Sequence, residues 1–348
     1  MTPNREHILT AKAIFCEALK RVDAGAAIEN AVRTDGSDLL IDGESAVAHS
    51  GSLYVVAIGK AAYPMAEAFD RVAGMYVKAG VVSGAKPAYG NSPIGPVWLK
   101  FFGGHPLPNE ESFEAAKACL SLLERANRER ATIVFLISGG GSAMMDLPRD
   151  PRVTLSDLRE LNQSLVTSGA SITEINSVRR AVSAVKGGGL AIRAAASQQI
   201  SLIVSDTLSG DVSSVASGPS LLPGAGIPDP VGVVEKYRLE DRLPDIVARS
   251  IRERRKIHRD VKINSRFHVL LDNGQVVGHA AEIAKGMGFE TGRDDDEHDE
   301  MIGDGISGLL DRSLAFKNSV PKGEPVCFVS GGEFGCEVRG NGIGGRNC

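Results

Sequence analysis

Apolar and polar positions along the chain follow two rhythms, short continuous apolar runs and longer amphipathic stretches. The clearest run, Thr132-Ile-Val-Phe-Leu-Ile137, is rich in β-branched residues and too short to span a membrane. It predicts a fully buried strand of a parallel sheet. Ser52–Ile58, Tyr76–Val82, Val97–Phe102 and Gln199–Val204 predict further strands. Between them the spacing predicts helices over Ala61–Val72, Asn109–Asn127, Thr154–Ser168, Ile172–Val185 and Leu190–Ala196. Glu110 and Glu111 fall in a first helical turn, where carboxylates suit the dipole, and Thr154 or Ser156 is placed to cap a helix start. Upstream, Ile8, Ala11, Phe15, Ala18, Leu19 and Val22 recur at helical spacing, with a break at Asp23-Ala-Gly25 and a second short helix after it. Strands alternating with helices predict an α/β protein with three-layer α/β/α architecture and a mostly parallel, Rossmann-like sheet.

With 348 residues the chain exceeds the roughly 250–300 at which single cores stop growing, so two domains are expected. Helices over Pro230–Tyr237 and Leu243–Arg255 lead into a boundary within Arg238–Ser265, where charge density rises. The expected division is a first domain over residues 1–240 and a smaller second one over 260–348. In the second, Phe267–Leu271, Val326–Val329 and Glu333–Arg339 predict strands, and Gly274–Gly286 and Met301–Phe316 predict helices.

Composition narrows the partners. The formal net charge is −4, which gives no general attraction to nucleic acid or to an acidic membrane. The basic run Arg252-Glu-Arg-Arg-Lys256 and the acidic Asp294-Asp-Asp-Glu297 read as solvated surface. Five scattered cysteines without a CxxC pair suit reduced thiols and a cytoplasmic location. No stretch approaches the ~18 apolar residues of a membrane helix, and Met1–His7 lacks the apolar core of a secretory signal.

Candidate chemistry gathers on glycines. After the central apolar run comes Ser138-Gly139-Gly140-Gly141-Ser142. Three residues without Cβ let the backbone take positive φ and turn N–H groups toward an anion. The carboxyl end of a buried strand is where open α/β sheets bind phosphates and carboxylates. Gly59-Lys60 sets a lysine at a helix start, against the dipole, and contact with an anion would explain it. His105 lies in the turn Phe102-Gly-Gly-His-Pro106. Asp206 and Asp211 follow another buried strand; the pair suits Mg²⁺, or one of them takes a proton from a substrate hydroxyl. Asn176, Arg179, Arg180 and Lys186 lie at helical spacings, as a basic stripe facing a cleft or as a solvated face. Ser330-Gly-Gly-Glu333 repeats the glycine turn, and Gly344-Gly-Arg346-Asn347 presents an arginine suited to bidentate phosphate contact. Together these residues point to phosphoryl transfer. There is no GxxxxGK[ST] and no protein-kinase motif set. The first strand ends Ala57-Ile-Gly-Lys60 rather than in a dinucleotide GxGxxG.

The ordered set Ile58-Gly-Lys-Ala61, Gly104-His-Pro106, Ile137-Ser-Gly-Gly-Gly-Ser-Ala143, Ile175-Asn-Ser-Val-Arg179, Val185-Lys-Gly-Gly188, Ser205-Asp206 through Gly210-Asp211, Ala216-Ser-Gly-Pro219, Ser330-Gly-Gly-Glu333 and Gly344-Gly-Arg-Asn347 resembles the glycerate 2-kinase family, the one with a C-terminal MOFRL domain. The resemblance covers nearly the whole chain, most weakly Arg238–Met301. It implies a cytoplasmic kinase of two α/β domains that uses ATP and Mg²⁺ to convert D-glycerate to 2-phosphoglycerate in the cleft between them, with a homodimer as the assembly to test. By motif, Lys60 and Arg346 match the active-site lysine and arginine; by position only, Asp206 is the aspartate expected nearest the transferred phosphate. Asp206 and Asp211 are the metal candidates. His105, Ser138, Gly139, Gly140, Gly141, Ser142, Asn176, Arg179, Lys186, Gly345 and Asn347 are the candidates for binding nucleotide or substrate, with Arg179 or Arg346 on the glycerate carboxylate. The family continues past the Gly-Gly-Arg-Asn turn whereas this sequence ends at Cys348, so the resemblance implies a second domain with an incomplete sheet. Two other readings stand beside it: an NAD(P)H-dependent hydroxypyruvate reductase, a label its members often carry, and an inactive fragment that binds glycerate or nucleotide.

Overall fold

The computed structural model describes residues 3–35, 38–47, 53–88, 90–207, 212–253, 261–294 and 302–331. Two helices open the chain, α1 (Pro3–Lys20) and α2 (Ala24–Ala31), separated at the expected break. An antiparallel three-stranded sheet follows, β1 (Val32–Asp35), β2 (Asp38–Ile41) and β3 (Glu44–Val47). The apolar pattern does not announce it. Each strand has four residues and β1 buries only Val32, so an alternating signal never accumulates.

The large sheet then builds up from β4 (Leu53–Gly59), β5 (Val77–Gly84), β6 (Trp98–Phe101), β7 (Thr132–Ser138), β8 (Gln198–Val204) and β9 (Ser265–Leu271), in the order β6-β5-β4-β7-β8-β9. The pairs β4–β5, β5–β6, β4–β7 and β7–β8 are parallel. The helices between these strands are α3 (Ala62–Ala73), α4 (Glu110–Glu129), α5 (Gly141–Met144), α6 (Leu155–Val166), α7 (Ile172–Val182), α8 (Gly189–Arg193), α9 (Pro230–Lys236) and α10 (Asp245–Arg252).

Why the central strands read as continuous apolar runs is visible in how they divide. Leu53, Val55 and Ala57 of β4, with Val134 and Leu136 of β7, pack under Tyr63, Met65 and Phe69 of α3. Their neighbours Tyr54, Val56, Ile58, Ile133, Phe135 and Ile137 pack under Ala115, Cys119 and Leu123 of α4. Successive strand residues face opposite layers, and both layers are helical, so the positions between Thr132 and Ser138 of β7 are all apolar. Burying a side chain such as Phe135 contributes roughly 1.5–3 kcal/mol. A third apolar cluster joins α6, α7, α9 and α10.

The helix starts are fixed by side chains. The side chains of Asn109, Thr154 and Ser171 each accept a hydrogen bond from the backbone N–H three residues on, and the side chain there accepts one from the cap residue's own backbone N–H. Such a cap is worth about 1 kcal/mol. Thr154, not Ser156, takes that role for α6.

The C-terminal elements are α11 (Asn273–Gly286), β10 (Glu290–Asp294), α12 (Ile302–Ser319) and β11 (Val326–Ser330), with β10 and β11 paired in parallel. Asp294, first of the acidic run, ends a strand rather than sitting in a solvated loop. It is buried and takes hydrogen bonds from Arg312 at 3.2 Å and Ser330 at 3.3 Å. The expected strand over Glu333–Arg339 lies outside the described residues.

Two compact units result, one of Ala24–Thr207 with Asp211–Leu270, the other including Met1–Asp23 and Leu271–Cys348. This differs from the expected 1–240 and 260–348 in two ways. Helix α1 belongs with the C-terminal elements, because Ile14 and Ala18 bury against Ala280, Ile283 and Ala284 of α11. Strand β9 completes the large sheet at its edge beside β8. Among the described residues, no helix is long and apolar enough to cross a membrane.

Candidate functional site

The sheet order places a switch point between β4 and β7. From β4 the chain steps outward through β5 to β6, and from β7 it steps outward the other way through β8 to β9. At such a reversal the loops leaving two adjacent strands part and open a crevice at the carboxyl ends. Ile58 pairs with Ile137 at the last rungs of the β4–β7 ladder. Gly59-Lys60 and the glycine turn therefore leave the sheet side by side.

The two loops are stitched together. Lys60 N–H donates to Gly139 O at 2.8 Å, Ala61 N–H donates to Ser138 Oγ at 3.0 Å, and the Ser138 hydroxyl donates to Ile58 O at 3.3 Å. Ser138 is buried and its hydroxyl is committed to this stitching rather than presented to a ligand. Gly59 sits at φ +117°, and a Cβ there would run into the backbone oxygens of Ser138 and Gly139. Only glycine fits that approach.

Three ionisable groups converge on this turn, each from a different strand end. Lys60 follows β4, His105 lies in the loop after β6, and Asp206 follows β8. A Cβ built on Gly140 would lie 3.0 Å from Lys60 Cγ and 3.1 Å from His105 Cδ2. One built on Gly139 would fall within the Asp206 carboxylate. All three side chains are exposed. The His105 imidazole is held below its ordinary range, first by partial burial and then by the Lys60 charge, with Asp206 pulling the other way. The histidine loop is itself anchored: Gly104 N–H donates to Ser112 Oγ at 3.0 Å and Asn109 Nδ2 to Phe102 O at 2.9 Å. The His105–Pro106 peptide is cis.

The far flank of the glycine turn carries a second cluster. Ser217 Oγ stands 3.1 Å from Ser142 Oγ and 3.1 Å from Asn176 Oδ1. Lys186 is buried and forms an ion pair with buried Asp146, whose other oxygen accepts the Ser183 hydroxyl at 2.6 Å. Burial lowers the pKa of Lys186, with Asp146 opposing. Burial likewise lowers Arg179 to about 10, again opposed by Asp146. Arg180 donates to the carbonyls of Ser213 and Ser217. The stripe on α7 and beyond is therefore no solvated face: Asn176, Arg180 and Lys186 are all buried.

Asp146 is the member that sequence reading misses. Its one local signal is a carboxylate just past the glycine turn, in a stretch otherwise apolar. Asp211, Gly345, Arg346 and Asn347 lie outside the described residues. Among the described residues, no three His, Cys, Asp or Glu side chains gather in a way that would hold a metal ion by themselves.

Known proteins share this arrangement of sequence and fold. The family model described as "Domain of unknown function (DUF4147)" matches residues 10–252. The D-glycerate 2-kinase of Thermotoga maritima is 35% identical over 297 residues, covering 84% of this chain and 68% of that one. The glycerate 2-kinase of Pyrococcus horikoshii is 32% identical over 348 residues, covering 95% of this chain and 75% of its own. The crystal structure of a glycerate kinase from Thermotoga maritima superposes with a TM-score of 0.73 at 29% identity, over 99% of this chain and 78% of that one.

Proposed function

This chain belongs to the glycerate 2-kinase family, and we propose that it transfers the γ-phosphoryl group of ATP to the 2-hydroxyl of D-glycerate, giving 2-phosphoglycerate and ADP. The observation that carries this reading is the convergence of Lys60, His105 and Asp206 on Gly139-Gly140 at the switch point. A cation, a carboxylate and a neutral imidazole around a turn without side chains suit a reaction that passes negative charge between oxygens.

In this reading the triphosphate lies along the glycine turn, where absent Cβ atoms let it approach the backbone. The Lys60 ammonium neutralises charge on the transferred group, and Asp206 orients or deprotonates the attacking hydroxyl. Catalysis is then positioning and charge stabilisation. Arg346 would add a second cation by its motif. The exposed Asp206 carboxylate fits Mg²⁺, which keeps several waters and takes most other oxygens from phosphates rather than from a protein cage. Mg²⁺ bound there, with Asp206 and Asp211 as its carboxylates, would neutralise phosphate charge. The C-terminal unit corresponds to the MOFRL-type domain, and the reduced cysteines and metabolite substrates suit the cytoplasm. The reductase reading has no support at the end of β4, where Ala57-Ile-Gly-Lys60 stands in place of the dinucleotide fingerprint.

The test is ADP release and ³¹P NMR of the product from ATP, Mg²⁺ and D-glycerate. Expected are glycerate-dependent ADP, a 2-phosphoglycerate resonance, and a fall of at least tenfold in Lys60→Ala. Hydroxypyruvate-dependent NAD(P)H oxidation without ADP would replace the kinase by the reductase. Ligand binding by a folded chain without turnover would favour a binding role.

A further inference from the structure

The far flank of the glycine turn rests on a backbone that its own residues disfavour. Gly218 N–H donates to Val215 O at 2.8 Å and closes a four-residue turn. Its two central residues, Ala216 and Ser217, stand at φ +53° and +61°. Positive φ at both is the pattern of a type I′ turn, where Asn-Gly is usual. Non-glycine residues keep such a conformation only where the surrounding structure holds it. Arg180 and the Gly187-Gly188 loop do so here. Arg180, buried on α7, donates from Nε to Ser217 O at 3.3 Å and from a terminal nitrogen to Ser213 O at 2.8 Å. Gly187 and Gly188 N–H donate to Ser217 O at 2.9 Å and to Gly218 O at 2.6 Å. The Arg180 stem lies along Gly187, where a Cβ would come within 3.0 Å of its Cγ. The two strained residues are also the ones that meet the glycine turn. A Cβ built on Gly141 would stand 2.8 Å from the Ala216 methyl, and Ser217 Oγ reaches Ser142 Oγ.

We infer that Arg180 is a positioning residue: by gripping the carbonyls of Ser213 and Ser217 it holds Ala216 and Ser217 at positive φ, and through them it fixes Gly141-Ser142, the second half of the glycine turn. Its effect on the reaction passes through those two residues and not through contact with a ligand. That this turn carries the transferred phosphate rests on the kinase reading. A guanidinium suits the task because its planar fork reaches two carbonyls at a set spacing, whereas an ammonium is a point donor on a flexible stem. Without the grip, Ala216 and Ser217 relax toward negative φ and carry the methyl and the hydroxyl away from Gly141 and Ser142. A turn that aligns a reacting group loses rate on small displacements, since positioning is steep in distance.

The experiment compares wild type, Arg180→Gln, Arg180→Lys, Ser217→Ala and the double variant Arg180→Gln with Ser217→Ala, each checked for folding by circular dichroism. Hydrogen exchange read by mass spectrometry follows residues 139–145 and 186–190, with β4 and β7 as the internal reference. Expected in Arg180→Gln is exchange at least tenfold faster in the first two segments and unchanged in the two strands, with a smaller rise in Arg180→Lys. Faster exchange throughout, or none at 139–145, overturns the inference. Should Arg180→Gln fail to fold, the same segments in Arg180→Lys decide. Steady-state kinetics add a second readout. Arg180→Gln should lower kcat at least tenfold with KM for D-glycerate within threefold, and Arg180→Lys should recover part of it. If Arg180 acts through Ser217, the double variant falls little further than the worse single one, whereas independent losses that multiply overturn the link. If wild type forms no ADP, the kinase reading fails, and hydrogen exchange still decides whether Arg180 holds the turn.

Discussion

The carboxylate of Asp206 lies so close to the Cα of Gly139 that a side chain at 139 and the carboxylate at 206 exclude one another. Asp206 is exposed and can swing away, whereas backbone could not. Gly139→Ala should therefore cost about 1 kcal/mol or less in stability. If Asp206 has the role proposed for it, the variant should also lower kcat by roughly 10²-fold, because a misplaced carboxylate loses its alignment. Urea unfolding and steady-state kinetics on one preparation check the split; a loss of stability with unchanged kcat would refute the placement of Asp206.

Gly59 gives the opposite expectation. Its Cβ would meet the backbone of Ser138 and Gly139, and its φ of +117° is open to glycine alone. Gly59→Ala should destabilise by about 3 kcal/mol or more, since strain and overpacking act together. The unfolding midpoint measures it, and a variant as stable as wild type would mean that the β4 and β7 ends are not stitched as described.

The Asp146–Lys186 pair is a stability element with a pH signature. Asp146→Asn leaves Lys186 buried without its counter-ion and should cost ~3–5 kcal/mol near neutral pH. Burial already lowers Lys186 below 10.5 in the folded chain, and losing Asp146 lowers it further. Where the unfolded chain holds a proton that the folded chain has shed, stability rises with pH. The penalty of the variant should therefore narrow as pH climbs toward 10.5. Unfolding curves at several pH values test this; a gap that stays constant with pH would remove Lys186 as the cause.

His105 reports the site's electrostatics without turnover. Its folded pKa lies below 6.5, so the folded chain keeps it neutral where the unfolded chain takes a proton. It contributes no pH dependence above 6.5, and stability falls as pH drops from 6.5 to the folded value. Lys60→Met removes a repelling cation and should raise the His105 pKa. Asp206→Asn removes an attracting anion and should lower it. NMR titration of the imidazole resonances reads both shifts, and opposite signs or two null results would break up the trio.

Much of this was legible in the sequence by itself. The apolar runs within Leu53–Gly59 and Thr132–Ser138 announce strands covered on both faces, because burial on two sides favours apolar residues throughout and admits only polar ones whose hydrogen bonds are made, as Ser138's are. The glycines at 59 and 139–141 announce close approach because no other residue offers it. Local chemistry fixes such features, so local reading finds them.

What only the tertiary structure decided is who meets whom. Lys60, His105 and Asp206 come together because β4 and β7 are neighbours and the chain runs outward from both, a strand order that no segment encodes alone. Asp146 acquires its role from Lys186, and α1 its partner from α11, through contacts between distant segments. The short β1–β3 strands draw their register from one another rather than from their own pattern. Propensity and periodicity act over a turn or a strand, whereas partner choice is settled by the packing of the whole chain.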